Sequence, residues 1–276
     1  MNDSAIGVFD SGLGGLTAVK ELVRLLPHED IIFFGDTARV PYGTRNADTI
    51  LRYSKQDISF LLSKNVKLVV AACGTVSSTL PAGFADRLPV PLVTVVAPTA
   101  KAAAAATKNG RIGVLGTPAT IRSRSFEKAL AAENAQLAVF PKACPLFVPL
   151  VENGYVARDC AVTRAVAAEY LAPLRAEGVD TVILGCTHYP IIRDIIADVL
   201  GADVALVDAG RETARCAADT LRAAGLLSDG GGALHFFTSD SPEGFVPLAE
   251  LFLGRAVRGK ASAVSIEDIP ISEALL

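Results

Sequence analysis

The feature that most constrains the fold is the alternation of short apolar runs with helix-length segments along all 276 residues. Nine runs have the length and composition of buried strands: AIGVF, DIIFFG, KLVVAA, PLVTVV, RIGVLG, LAVF, TVILG, DVALVD and LHFFTS. The segments between them, such as LTAVKELVRLL and ADTILRYSKQDISFLLSK, are amphipathic and of helix length. Strands that are apolar along their whole length and separated by helices are typical of parallel sheets covered on both faces. The pattern therefore predicts an α/β protein, and the chain length favours two domains.

A weak internal repeat lies within this pattern. The segment IGVFDSG, from Ile6, resembles IGVLGTP, from Ile112, and at similar intervals downstream an apolar strand ends in a cysteine: LVVAACGT at Cys73 and VILGCTH at Cys186. This predicts two related α/β lobes, each with one thiol at the carboxyl end of a strand, where parallel sheets bind ligands. The alternative is that parallel-sheet proteins reuse similar apolar strands by composition alone.

Composition and charge narrow the class of protein. The net charge is −3 and no basic patch stands out, which argues against nucleic-acid binding. The first residues do not read as a signal peptide, and prolines and a lysine interrupt the longest apolar stretch, so no membrane span is expected. The five cysteines show no CxxC spacing, so neither a disulfide framework nor a zinc site is expected. We expect a soluble, cytoplasmic protein with reduced thiols.

The segment GVFDSGLGGLTAVKEL passes from a strand into a helix through clustered glycines. Glycines at a helix N-terminus suit close approach of the backbone to a phosphate or carboxylate, although the spacing is not the dinucleotide-binding fingerprint. Asp10 at the same turn would repel an anion and instead favours an ammonium group or a proton. Alternatively, Asp10 only caps the turn.

A second turn follows the next predicted strand, in GDTARVPYGTRNADT. Pro41, Tyr42 and Gly43 form a turn whose backbone N–H groups are candidates to face a ligand. Asn46 or Thr44 is the expected N-cap of the following helix.

The two cysteines at strand ends carry the chemical argument. Each precedes a predicted helix start, where the helix terminus is expected to lower the pKa of a thiol, and His188 lies two residues after Cys186. A single such cysteine is more often buried without a function, but two at matching strand ends favour a function. A disulfide exchanger places its cysteines close in sequence, and a cysteine hydrolase would leave one thiol unexplained. Two thiols that face one carbon suit racemisation by two bases, which needs no metal or organic cofactor.

Six motifs, in order, resemble those of the glutamate racemases, within the cofactor-independent aspartate/glutamate racemase superfamily. They are GVFDSGLGGLT, GDTARVPYG, ACGTVSS, GVLGTPAT, PLFVPLVENG and LGCTHYP, and the likeness extends from about Ile6 to the segment FTSDSPEGF. The resemblance implies two pseudo-symmetric α/β lobes with mainly parallel central sheets and an active site in the cleft between them. It places the first lobe at 1–97 plus 208–276 and the second at 98–207.

The resemblance also implies roles for individual residues. Cys73 and Cys186 would be the catalytic bases, Cys73 for the D-enantiomer and Cys186 for the L-enantiomer. Asp10 would assist Cys73, and His188 and Glu152 would assist Cys186. The substrate would be bound by Asp10, Ser11, Pro41, Tyr42, Gly43, Gly74, Thr75, Thr117, Thr187 and His188. It further implies no metal or cofactor, glutamate as the only required partner besides a second copy in a homodimer, and production of D-glutamate for peptidoglycan.

The sequence departs from the family at one position, where Cys-Asn-Thr is usual and this chain has Cys73, Gly74 and Thr75. The missing amide would remove a substrate hydrogen bond worth about 1.5–3 kcal/mol. Gly74 still offers a backbone N–H and allows closer approach, and Ser77 or Ser78 is a candidate replacement donor.

Two other functions stay open: the same fold acting on aspartate or another small amino acid, and a catalytically weak binding or regulatory homologue. The remaining histidines and cysteines are interpreted as structural, His28 and His235 as surface residues and Cys144, Cys160 and Cys216 as packing residues.

Overall fold

The computed structural model describes residues 4–257 and 261–275. Its strands are β1 Ile6–Asp10, β2 Ile31–Gly35, β3 Leu68–Ala71, β4 Leu92–Thr94, β5 Arg111–Gly116, β6 Ala138–Ala143, β7 Thr181–Leu184, β8 Ala205–Asp208, β9 Leu234–Thr238 and β10 Ser262–Ala263. Its α-helices are α1 Leu16–Leu25, α2 Ala47–Ser63, α3 Gly74–Ser77, α4 Val96–Ala106, α5 Pro118–Ser123, α6 Ser125–Glu133, α7 Phe147–Glu152, α8 Ala161–Ala176, α9 Arg193–Leu200, α10 Ala209–Ala223 and α11 Phe245–Leu253.

The strands form two separate parallel sheets. A six-stranded sheet has the order β10-β9-β2-β1-β3-β4, and a four-stranded sheet has the order β6-β5-β7-β8. We call the six-stranded sheet with its helices the first lobe and the four-stranded sheet with its helices the second lobe. The prediction of a two-lobed α/β fold with parallel sheets is confirmed.

The internal repeat corresponds to a repeated strand order. In the first lobe β1 pairs with β2 and β3, and β4 follows β3; in the second lobe β5 pairs with β6 and β7, and β8 follows β7. Strand β1 is therefore equivalent to β5, and β3 is equivalent to β7. As a result, Cys73 and Cys186 follow equivalent strands of the two lobes.

The strands form where the sequence is apolar because both faces of each sheet are covered. All five residues of β1, and all four of β3 and of β7, are buried. Helices α1 and α10 pack together over one face of the first lobe, and α2 covers the other. A fully buried aliphatic or aromatic side chain contributes about 1.5–3 kcal/mol, so these central strands dominate the hydrophobic core.

Most of the predicted elements are present. All nine apolar runs overlap a strand, whereas the two-residue strand β10 was not predicted because two exposed residues carry no apolar signal. Asn46, rather than Thr44, caps α2, since its side chain accepts a hydrogen bond from the Thr49 N–H at 2.8 Å. The residue boundaries given for the lobes stay a prediction. Among the described residues, no helix has the length and apolar character needed to cross a bilayer.

Candidate active site

A cavity of about 430 Å³ lies between the two lobes. This volume is in the range of small-molecule sites, about 300–1,000 Å³. Its walls come from the segments that follow the carboxyl ends of β1, β2 and β3 in the first lobe and of β5, β6 and β7 in the second. This is where open parallel sheets bind ligands, because the loops that follow the strands converge there.

Every residue to which the family resemblance gave a role in the site borders this one cavity. They are Asp10, Ser11, Pro41, Tyr42, Gly43, Cys73, Gly74, Thr75, Thr117, Glu152, Cys186, Thr187 and His188. The structure thus brings together residues that are far apart in the chain, including one thiol from each lobe. The roles assigned to them stay predictions.

Cys73 lies at the N-cap of α3 and is 6% exposed. Its Sγ is 3.3 Å from Ser11 Oγ, a distance that fits a hydrogen bond. The carboxyl group of Asp10 adds a negative charge to the surroundings of this thiol. We call Cys73, Ser11 and Asp10 the Cys73 side of the cavity.

The prediction of a lowered pKa at Cys73 is wrong. Burial, and next the negative charge of Asp10, raise the pKa of Cys73 to about 12, although hydrogen bonds from Ser11 and the Val76 N–H oppose this. The helix that Cys73 caps has only four residues, so its terminus does not outweigh burial.

Asp10 is 1% exposed and has one unpaired carboxyl oxygen. Its Oδ2 accepts a hydrogen bond from the Gly12 N–H at 3.0 Å, whereas Oδ1 has no hydrogen-bond partner among the described residues. Burial raises the pKa of Asp10, and the positive charge of His188 opposes that shift. A buried carboxyl oxygen without a hydrogen-bond partner is costly, and the carboxyl group of Asp10 at the cavity wall favours a cationic ligand.

On the other side, Cys186 is the first member of a chain of polar groups. His188 Nδ1 is 3.8 Å from Cys186 Sγ and 3.3 Å from Thr187 Oγ1. His188 Nε2 is 2.9 Å from Glu152 Oε1, and the edge of the ring packs against Phe252. We call Cys186, His188 and Glu152 the Cys186 side of the cavity.

The electrostatics of His188 favour its protonated form. Burial alone would lower the pKa of this imidazole, but hydrogen bonds to Cys186 and Glu152, together with their negative charges, raise it to about 10. His188 can therefore accept a proton from the neighbouring thiol while Glu152 stabilises the resulting cation.

The turn at Pro41–Gly43 is anchored by a buried charged cluster. The Tyr42 hydroxyl donates to Asp36 and lies 3.2 Å from Asp57 Oδ2, and Arg39 forms ion pairs with both carboxylates. The Tyr42 side chain is 1% exposed and its hydroxyl is used by this cluster. The turn therefore offers a ligand its backbone rather than the phenol.

Threonines border the cavity from both lobes. Thr75 Oγ1 and Thr117 Oγ1 are 3.0 Å apart and form a hydrogen bond between the lobes. Thr117 also caps α5 by accepting a hydrogen bond from the Thr120 N–H. The Thr187 carbonyl accepts a hydrogen bond from Thr17 Oγ1 at 3.0 Å, which leaves the Thr187 hydroxyl beside His188.

The suggestion that Ser77 or Ser78 replaces the missing amide is wrong. Ser77 Oγ donates to the Ala71 carbonyl and accepts from the Val95 N–H, and Ser78 Oγ accepts from Ser125 Oγ. Neither serine borders the cavity, because α3 directs both toward the protein interior or the other lobe. Gly74 itself borders the cavity and lies against the backbone of the second lobe.

Sequence reasoning missed part of the lining. The additional residues are Gly12, Val40, Thr44, Pro118, Cys144, Pro145, Val148, Pro149 and Gly185. Most are apolar or glycine, so their residue types did not identify them as part of the site. Only their position after a strand could have identified them. Cys144 is a core residue, as predicted, and also borders the cavity.

Comparisons with known proteins agree with this geometry. Residues 6–217 match the model of the Asp/Glu/hydantoin racemase family. A glutamate racemase from Geobacter metallireducens is 47% identical over 265 residues, which cover 95% of this chain and 97% of that protein. The crystal structure of a glutamate racemase isoform from Bacillus anthracis superposes with a TM-score of 0.91 at 37% identity, over 99% of this chain and 100% of that one. A Francisella tularensis glutamate racemase, solved in complex with D-glutamate, gives a TM-score of 0.89 at 34% identity, over 97% of this chain and 99% of that one.

Proposed function

Because this chain belongs to the Asp/Glu/hydantoin racemase family, we propose that it interconverts L-glutamate and D-glutamate by two cysteine bases. The chain is an enzyme of the isomerase class that acts on amino acids. One observation carries the proposal for the mechanism: Cys73 and Cys186, at equivalent strand ends of two related lobes, border the same cavity.

The proton transfer needs one thiolate and one thiol. The Cys186 thiolate removes the α-proton of L-glutamate and becomes a thiol, while the Cys73 thiol delivers its proton to the opposite face and becomes a thiolate. The reverse sequence converts D-glutamate into L-glutamate. The protons balance within the site, and each transfer is general acid–base catalysis, which contributes about 10²–10⁴-fold in rate.

The neighbours of each sulfur support this assignment. His188 lies within reach of Cys186 and has a raised pKa, so it can hold the proton of that thiol. The pKa of Cys73 is raised to about 12, so this thiol keeps its proton until the reaction takes it. For L-glutamate, the reacting form in this proposal is a Cys186 thiolate beside a cationic His188, with Cys73 protonated.

Substrate binding follows from the polar groups that remain. The carboxyl group of Asp10, which borders the cavity, is suited to the ammonium group of the substrate. The backbone of the Tyr42–Gly43 turn and of Gly74–Thr75, with the hydroxyls of Thr117 and Thr187, is suited to the carboxylates. N–H donors around the α-carboxylate also stabilise the negative charge that develops as the α-proton leaves.

We further propose the biological setting that the family implies. The enzyme would supply D-glutamate for peptidoglycan and so support cell-wall biogenesis and cell shape, in the cytoplasm and as a homodimer. The reduced state of all five cysteines in the described chain is compatible with a reducing compartment. Sedimentation of the purified protein tests the dimer.

The activity is tested by incubating the purified protein with L-glutamate in D₂O without added cofactor. Loss of circular dichroism together with deuterium at the α-carbon is the expected result. Parallel incubations with D-glutamate, L-aspartate and L-glutamine determine the substrate. Absence of α-deuteration from both enantiomers of glutamate at high enzyme concentration would contradict the proposal, and turnover of aspartate alone would reassign the substrate.

A further inference from the structure

Two glycines of the first lobe, Gly74 and Gly14, lie directly against second-lobe residues that border the cavity. A Cβ at Gly74 would lie 2.4 Å from the carbonyl oxygen of Gly185, which directly precedes Cys186. A Cβ at Gly14 would lie 2.3 Å from Thr187 Oγ1 and 2.6 Å from the His188 ring. Both contacts are far shorter than real Cβ contacts allow, so neither position has room for a side chain in this arrangement.

Backbone conformation does not explain why glycine occupies these two positions. Neither Gly14 nor Gly74 has a positive φ, so other residues could adopt the same backbone. What excludes a side chain at each position is the approach of the second lobe.

The Gly74 contact is rigid on both sides. Gly74 begins α3 directly after Cys73, and the Gly185 carbonyl cannot retreat easily, because the Gly185 N–H donates to the Leu115 carbonyl at 2.9 Å. Gly185 is itself packed closely: a Cβ there would lie 2.6 Å from the Leu115 carbonyl oxygen. A side chain at position 74 must therefore move one lobe against the other.

The Gly14 contact acts on His188. The ring is held by Glu152 on one side and by Phe252 on another, so a methyl group at Gly14 would displace the ring or move the lobe.

Hydrogen bonds between the lobes lie beside the two glycines. Thr17 Oγ1 donates to the Thr187 carbonyl at 3.0 Å, Thr75 and Thr117 are joined at 3.0 Å, and Ser125 donates to Ser78 at 2.8 Å. These bonds are short only when the lobes approach closely. They and the two glycines define one line of contact, which we call the inter-lobe seam.

We propose that Gly14 and Gly74 are positioning residues that set the width of the inter-lobe seam, and thereby the separation of the Cys73 and Cys186 thiols. The proposal rests on the two-cysteine function, which needs both sulfurs within reach of one α-carbon. Gly74 thus has a role of its own in this chain: it replaces a side-chain amide with closer approach of the lobes.

For the variant Gly74→Asn, this proposal predicts lower turnover, whereas the family motif suggests better substrate binding. If only a hydrogen-bond donor were missing, the asparagine would restore it and improve substrate binding. If the seam needs a glycine, the asparagine and an alanine both prop the lobes apart by about 1 Å, and a misplacement of that size costs about 10²-fold in turnover.

The experiment compares Gly74→Ala, Gly74→Asn and Gly14→Ala with a matched control, Gly231→Ala. Gly231 has open space around it and no positive φ, so its variant reports any general effect of the substitution. Two quantities are measured: kcat and KM for glutamate, and the rate at which iodoacetamide alkylates each cysteine, followed by mass spectrometry. Alkylation does not depend on activity, and Cys216, outside the cavity, is the internal reference.

We expect kcat to fall by about 10²-fold in all three seam variants. Cys73 and Cys186 should be alkylated severalfold faster, Cys216 should be unchanged, and Gly231→Ala should match the wild type. Unchanged or higher turnover of Gly74→Asn with unchanged alkylation would overturn the proposal. Faster alkylation of all cysteines together would also overturn it, because that result indicates unfolding.

If Gly74→Ala does not fold, Gly14→Ala decides, because its Cβ meets side chains rather than backbone. A wild type without racemase activity would refute the proposed function, whereas the alkylation rates would still test the seam.

Discussion

The Cys73 side and the Cys186 side of the cavity are built on the same framework but differ in their chemistry. Each sulfur follows the equivalent strand of a lobe with the same local strand order. Cys73 lies beside a hydroxyl and a buried carboxyl group, whereas Cys186 lies beside an imidazole that is itself paired with a carboxylate. A repeated fold has thus placed two thiols symmetrically and surrounded them asymmetrically.

In the proposed mechanism, this difference gives one residue type two roles. An adjacent negative charge and burial keep the Cys73 thiol protonated, while an adjacent base can remove the proton of Cys186. Two groups whose environments separate their proton affinities can act as acid and base at the same pH. We therefore expect substitutions on the two sides to differ in kind as well as in size.

The largest effect is expected from the sulfurs themselves. Cys73→Ala and Cys186→Ala should each reduce racemisation by about 10⁴-fold, because either change removes one of the two proposed proton carriers. The thiol that remains can still exchange the α-proton of one enantiomer. We expect slow α-deuteration of L-glutamate alone in Cys73→Ala, and of D-glutamate alone in Cys186→Ala, measured by NMR in D₂O.

Cys216→Ala, outside the cavity, is the control for these variants. Racemisation that survives either catalytic substitution would exclude the two-base mechanism even if glutamate is the substrate.

A smaller loss is expected from His188→Asn. The variant removes the imidazole that holds the Cys186 proton, so we expect kcat/KM to fall by about 10²-fold, the lower range of general acid–base catalysis. Because L- and D-glutamate have equal free energies, kcat/KM must fall equally in both directions. Steady-state assays from each enantiomer measure this, and a loss below threefold would show that His188 does not control the Cys186 side.

Asp10→Asn tests the Cys73 side. The asparagine keeps an acceptor for the Gly12 N–H but removes the charge that suits an ammonium group. A charge-assisted hydrogen bond contributes about 1.5–3 kcal/mol, so we expect kcat/KM to fall by about 10- to 10²-fold. Binding of glutamate, measured by calorimetry, should weaken in parallel. Unchanged binding with lower turnover would assign Asp10 to proton transfer alone.

Glu152→Gln should have a modest effect on turnover. The Glu152 side chain is 46% exposed, so solvent screens its interaction with His188. We expect kcat to fall by about threefold and the pKa of His188, followed by NMR titration, to be lower than in the wild type. No change in that pKa would remove Glu152 from the Cys186 side.

The last prediction concerns stability rather than turnover, and its dependence on pH. The pKa of folded His188 is about 10, against an ordinary value of 6.5, so the cationic ring stabilises the folded state fully below pH 6.5 and loses this contribution as the pH rises to about 10. The difference in free energy of unfolding between the wild type and His188→Asn should shrink over that window, measured by urea titration. A difference that grows with pH would contradict the pairing of His188 with Cys186 and Glu152.

The local sequence pattern was sufficient to predict the strands and helices, but not the surroundings of the individual polar and titratable side chains. The runs that became the central strands β1, β3 and β7 are recognisable because full burial demands uninterrupted apolar residues. The two-residue β10 has no such pattern, and the pKa of Cys73 was predicted in the wrong direction because its burial and the charge of Asp10 come from contacts distant in sequence. The partners of Ser77 and Ser78 could not be read from the chain for the same reason.

The sequence by itself determined the two parallel-sheet lobes, the repeat that puts Cys73 and Cys186 at matching strand ends, and the set of polar residues at those ends. These properties depend on hydrophobic periodicity and on the order of residues along each strand, which are local. Only the tertiary structure decided how the lobes approach: that Gly74 meets Gly185, that Glu152 reaches His188, and that an oxygen of Asp10 lies buried without a partner. Such contacts join residues from different strands and lobes, so their distances follow from the packing of whole elements rather than from any short stretch of the chain.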